Sequence, residues 1–130
     1  MPKRFINPEG LARPNGYSHV VESTGGRTVY ISGQIAIDAQ GQLVGGEDMA
    51  AQTEQVFKNL QAALMAVGGD FGDVVKLTFY VADMSQMQAV RDVRDRYIDL
   101  ERPPASSAIE VKQLVRPEWL IEIDAIAVIE

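Results

Sequence analysis

The 130-residue sequence predicts an α+β fold: two helices laid over one face of a single mixed β-sheet. Four stretches alternate apolar and polar residues with the period of a half-buried strand. Two longer stretches repeat apolar residues at helical spacing. The two kinds interleave, and each helical stretch has the length that a right-handed parallel crossover needs. That handedness places both helices on the same side of the sheet.

Taken in order, SHVVES, ended by Gly25-Gly26, reads as a hairpin partner for the strand that follows. In that strand, TVYISGQIAI over 28–37, Val29, Ile31, Ile35 and Ile37 point one way, and Thr28, Tyr30, Ser32 and Gln34 the other. Gly33 interrupts it, the mark of a bulge or of a close approach of backbone to another group. After a glycine-punctuated loop, Asp48 is the expected N-cap of a helix whose stripe is Met49, Thr53, Val56, Leu60, Ala63 and Val67, stopped by Gly68-Gly69.

Residues 74–82, VVKLTFYVA, alternate again, with Val75, Leu77, Phe79 and Val81 against Lys76, Thr78 and Tyr80. Ser85 is the expected cap of the second helix, striped by Met87, Val90, Val93, Tyr97 and Leu100 and ended by Pro103-Pro104. SSAIEV and LIEIDAIAVIE supply the last strands. The sheet face away from the helices is then expected to carry Tyr30, Ser32, Gln34, Lys76, Thr78, Tyr80, Ser106, Ala108, Glu110, Glu122, Asp124, Ile126 and Val128. Aromatics and aliphatics interleaved with a few charges suit a sheet that packs on a partner subunit, although a solvated face with cross-strand pairs reads similarly.

Length and composition narrow the chemistry. At this size the chain is expected to form one domain over 1–130, burying roughly 70% of its unfolded surface. With no cysteine and a lone His19, thiolate nucleophiles, disulfides and multi-histidine metal sites are excluded. The N-terminus lacks the apolar core of a secretory signal, and no apolar run approaches bilayer length, so the cytoplasm is the expected compartment and no membrane partner is expected. A formal charge of −6 disfavours nucleic acid as a partner. Arg91, Arg94 and Arg96 alternate with Asp92, Asp95 and Asp99, which reads as a solvated, salt-bridged helix face.

Candidate chemistry is sparse. Glu122 and Asp124 share a strand face, roughly 7 Å apart. Either both pair with neighbours, Lys76 being the obvious cation, or one lines a cleft and handles a proton or a water. Ser32 offers a hydroxyl beside Gly33, but no Gly-x-Ser-x-Gly elbow surrounds it, and His19 reads as a surface or packing histidine. No phosphate-binding glycine loop is present.

GYSHVV, ISGQIA, DVVKLTFYVADM, PASSAIEV and IEIDAIAV resemble, in order and spacing, the blocks of the Rid family, also called YjgF or L-PSP. The resemblance spans essentially the whole chain. It implies a chorismate-mutase-like fold, a homotrimer with inward-facing sheets, and a small-metabolite cleft at each subunit interface. It further implies cofactor-free hydrolysis of reactive enamines and imines to 2-oxo acids and ammonia.

Carried over, the cleft contains Tyr17, Ser32, Gly33 and Glu122, with Glu122 handling the attacking water, Tyr17 closing the pocket and Ser32-Gly33 lining the cradle. Imine-deaminating members carry Pro-Ala-Arg-Ser where this chain has Pro104-Ala105-Ser106-Ser107. The resemblance thus implies that Ser106 replaces the arginine clamping the substrate carboxylate. Such a contact is on the order of 1.5–3 kcal/mol per hydrogen bond. Arg91, where those members tend to have asparagine near the cleft, either restores a cation or belongs to the solvated Arg/Asp pattern. The expected activity is a Rid-like deaminase of altered specificity; the other reading is a non-catalytic metabolite-binding trimer.

Overall fold

The computed structural model describes residues 3–130; Met1 and Pro2, the start of the segment read for a signal, lie outside the described residues. Strands β1 (Arg4–Ile6), β2 (Val20–Glu22) and β3 (Arg27–Gln34) precede helix α1 (Met49–Ala66). Strand β4 (Val74–Val81), helix α2 (Met87–Arg94), and strands β5 (Ala105–Glu110) and β6 (Ile121–Ile129) follow. The main sheet runs β3-β6-β4-β5. Strand β6 is antiparallel to both β3 and β4, while β4 and β5 are parallel, so the two helical crossovers join strands that advance in one direction.

Helix α1 starts where Asp48 Oδ1 accepts from the Ala50 and Ala51 amides, at 2.9 and 3.4 Å. It ends where the Gly68 and Gly69 amides return to the carbonyls of Met65 and Leu64. Its buried residues are Met49, Gln52, Thr53, Val56, Phe57, Leu60 and Leu64. They meet Leu77, Phe79, Val81, Ile121 and Ile123, all sealed from solvent. Gln52 serves as an internal clasp: its Nε2 donates to the carbonyls of Gly46 and Glu118, and its Oε1 accepts from the Leu120 amide. The loop after β3 and the entry to β6 are thereby fixed to one helix face.

Several expectations are corrected. Strand β2 pairs with β1, Phe5 opposite Val21, rather than with β3; the Arg4–Glu22 ion pair at 2.6 Å flanks that ladder. The register of β4 against β6 shifts between Val74 and Lys76, so Val74 is buried and Val75 only half-buried. Asp83, not Ser85, caps the turn into α2, its Oδ1 accepting from the Ser85 amide and hydroxyl. Helix α2 stops at Arg94, well before the prolines, which leaves Leu100 exposed and brings Ile98 inward.

The edge strand carries the largest correction. In the parallel register of β4 and β5, Leu77 faces Ser106 and Thr78 faces Ser107. Residues opposite each other share a face. Ser106, Ala108 and Glu110 therefore lie on the helix-covered side, and Ala105, Ser107 and Ile109 on the open one. Gln34 also leaves the open face, because the bulge before it pairs it with the core residue Ile123.

Candidate active site

The centre of the candidate site is a bulge. Ile31 of β3 faces Ala125, yet Gln34 faces Ile123, so Ser32 and Gly33 together span a single step of β6. The next β6 residue, Glu122, lies with its side chain over Gly33. A methyl group on Gly33 would come within 2.0 Å of Glu122 Oε2, 2.7 Å of its Cδ and 2.9 Å of its Cγ. Gly33 does not have a positive φ. Space, rather than backbone conformation, demands a glycine here.

The two carboxylates of β6 differ in their commitments. Across the sheet, Thr78 faces Asp124 and Tyr80 faces Glu122. The Tyr80 hydroxyl reaches diagonally and donates to Asp124 Oδ2 at 3.1 Å. This bond, with burial and the negative charges of Asp124 and Glu122, raises the Tyr80 pKa above its ordinary 10.0. Glu122 makes no hydrogen bond or ion pair with the described residues. Lys76, the cation expected to pair with these carboxylates, takes up neither; its Nζ donates to Ser107 Oγ at 3.0 Å. Glu122 is thus a half-buried carboxylate on a rigid strand with its acceptor positions open, beside the exposed Ser32 and the bare backbone of Gly33. Such a group can orient a water and take its proton.

The remaining expected site residues gather elsewhere. Tyr17 sits in the loop between β1 and β2, its ring edge-on to His19 with centroids 5.3 Å apart. That loop is stapled to the entry of β5: the Ser18 amide donates to the Pro104 carbonyl at 3.1 Å and its hydroxyl to the Pro103 carbonyl at 2.6 Å. Tyr17 is therefore held near the start of the strand that carries Ser106. His19 contacts the Ala12 carbonyl through Nε2, a packing role. Arg91 is exposed on α2, and its guanidinium has no polar partner among the described residues.

Within one chain, Ser32, Gly33 and Glu122 form one group on the open face of the sheet. Ser106 lies on the opposite face at the far edge strand, near Tyr17. Sequence reasoning missed Arg94, which it placed on a solvated face. The residue is only 8% exposed, packed against Gly16. The available signal was its spacing: Met87, Val90, Arg94 and Ile98 fall on one helical stripe, and all four are buried.

A family model described as Endoribonuclease L-PSP matches residues 10–129. The chain belongs to this family, the Rid or YjgF family, and its two helices over a mixed sheet are that family's fold. Protein DfrA of Myxococcus xanthus is 41% identical over 130 residues, covering 98% of this chain and 97% of that protein. The 2-iminobutanoate/2-iminopropanoate deaminase of Mus musculus is 41% identical over 113 residues, 86% of this chain and 80% of the relative. The crystal structure of the Rid family protein YyfB from Yersinia pestis superposes with a TM-score of 0.87 at 41% identity, covering 99% of this chain and 100% of that one.

Proposed function

We propose that this chain is a cytosolic hydrolytic deaminase of small imines or enamines, with a specificity displaced from the short 2-imino acids. Glu122 is its base, and the site is completed by a second copy in a homotrimer. The observation that carries the reading is the uncommitted Glu122 carboxylate folded over the Gly33 bulge. A mouse relative whose name is that of an imine deaminase supports the reaction class. Water adds to the carbon of the protonated imine as Glu122 takes one of its protons, giving a neutral carbinolamine. Glu122 returns that proton to nitrogen, and as the C–N bond breaks the hydroxyl gives up its own proton to Glu122, leaving a carbonyl and ammonia. No redox partner is needed.

The division of the site supports the assembly. Glu122 on β6 and Ser32-Gly33 on the edge strand β3 share the open face, whereas Ser106 lies on the helix-covered side of the other edge strand, β5. A cleft that used both groups would need two chains to meet. Tyr30, 77% exposed on the open face, is the side chain with most to bury in that contact. Analytical ultracentrifugation at micromolar concentration should give the mass of a trimer; a monomer would dispose of the shared cleft.

The activity is tested by ammonia release from a broad panel of imines generated in place by an amino-acid oxidase. Glu122→Gln should keep the fold and lower turnover about a hundredfold or more, a typical size for a positioned base. Asp124→Asn should do far less, since Asp124 is occupied by Tyr80. Ser106→Arg should raise activity on short 2-imino acids. Absence of turnover by the wild type across the panel, with Glu122→Gln altering affinity alone, would leave a metabolite-binding trimer in place of an enzyme.

A further inference from the structure

A buried arginine stands beside the Tyr17 loop with part of its guanidinium uncommitted. Arg94 Nε and Nη2 both contact one oxygen of the adjacent Asp95, Oδ1, each at 2.9 Å. The Nη1 amino group has no partner among the described residues. It is also not sealed, since the one buried, partnerless side-chain polar atom among those residues is Ser23 Oγ. The guanidinium lies along the backbone of Gly16: a Cβ there would come within 2.4 Å of Nη2 and 3.2 Å of Nη1, and Gly16 has φ +79°. Two residues on, Ser18 ties the same loop to Pro103 and Pro104, just before Ser106. The Tyr17 loop therefore lies between this largely buried cation, whose Nη1 is uncommitted, and the entry to the strand that carries Ser106.

An arginine buried with an incomplete set of acceptors is costly unless something completes it. A planar guanidinium most favourably receives a carboxylate, because the two forks match and the bond is charge-assisted. Asp95 occupies one fork through a single oxygen and is itself open to solvent, with a side chain 38% exposed. It is thus a weak competitor for an incoming acid.

We propose that Arg94 is the anion-binding residue of this protein, gripping the carboxylate of a small organic acid through Nη1 beneath the Gly16–Tyr17 turn. This deepens the deaminase reading, on which its substrate assignment rests. The substrate class is a carboxylate-bearing imine or enamine, held from α2, while Ser106 contributes no charge. A carboxylate approaching from the helix, rather than from the edge strand, displaces the rest of the substrate and so shifts specificity.

The test compares propanoate with its neutral isostere propanamide by NMR titration at low ionic strength. Wild type should bind propanoate at least tenfold more tightly. Arg94→Gln should abolish that preference while leaving propanamide affinity unchanged. Asp95→Asn, at an exposed position that should not disturb folding, removes the competing carboxylate and should tighten propanoate binding severalfold. A merely structural Arg94 predicts no such gain.

Equal affinity for the two probes, or binding of neither, overturns the proposal. So does an Asp95→Asn variant that binds propanoate no better, a result that decides even if Arg94→Gln fails to fold. The deaminase reading fails separately: ammonia release would be absent while the preference for propanoate persists. Conversely, ammonia release from a carboxylate-bearing imine with KM unchanged in Arg94→Gln would sink Arg94 alone.

Discussion

On one face of β6, Ile121, Ile123, Ala125 and Ala127 are sealed beneath the helices; on the other, Glu122, Asp124 and Ile126 remain partly open. The backbone is shared, so whatever fixes the first face also fixes the second. Burial holds the strand in place, and the carboxylates opposite inherit its rigidity at no cost to themselves. They then diverge by their neighbours. Asp124 receives a hydrogen bond from Tyr80, whereas Glu122 lies over a glycine that offers it nothing but room. The apolar face supplies stability and the open face supplies chemistry. A sheet covered on one side only can separate the two tasks residue by residue.

That separation can be broken most severely from the buried side. Phe79 is fully buried and its ring lies 6.5 Å from that of Phe57. Phe79→Ala should cost about 3–5 kcal/mol by urea unfolding, since its cavity lies between sheet and helix. A loss under about 1 kcal/mol would mean that the helix-covered face does not hold β6.

Gly33→Ala probes the open side. The added methyl meets the Glu122 carboxylate head-on, and the long side chain can swing away. Global stability should change little, while turnover falls about tenfold, equivalent to ~1.4 kcal/mol in the barrier. Unchanged turnover would detach the bulge from the chemistry.

Tyr80→Phe sharpens the contrast between the two carboxylates. Removing the hydroxyl should cost about 0.5–1 kcal/mol, the usual worth of a partly exposed hydrogen bond. Because the Tyr80 pKa is raised in the folded chain, its contribution is fully present below pH 10 and is lost as pH climbs through the raised value. Wild type and Tyr80→Phe should therefore converge in stability on the alkaline side. Divergence there would contradict the bond to Asp124.

The smallest effect is expected at Glu122. With no partner among the described residues, Glu122→Gln should alter unfolding free energy by less than about 0.5 kcal/mol. A larger loss would reveal a structural role that competes with the catalytic one.

The sequence alone determined the order of elements from β2 onward, the helix stripe through Met49, Val56 and Leu60, the Asp48 cap and the unusual status of Gly33. These are local: a period, a capping side chain and a missing Cβ are each written within a few residues. Where both sides of a segment differ sharply in polarity, as in β6, period also assigns the faces.

Tertiary structure decided the rest, for reasons that sequence period cannot contain. Strand β5 is partly or fully exposed along its whole length, so no hydrophobic phase distinguishes its sides, and only pairing with Leu77 turned Ser106 toward the helices. The bulge at Ser32-Gly33 and the register shift before Lys76 each reverse an alternation midway, moving Gln34 and Val74 to the core side. Strand β2 found its ladder in β1, too short to stand out as a strand. Arg94 lies within a charged run and reads as solvated until the Gly16 loop folds down over it. Burial of a charge depends on what a distant segment covers, and no local pattern records that.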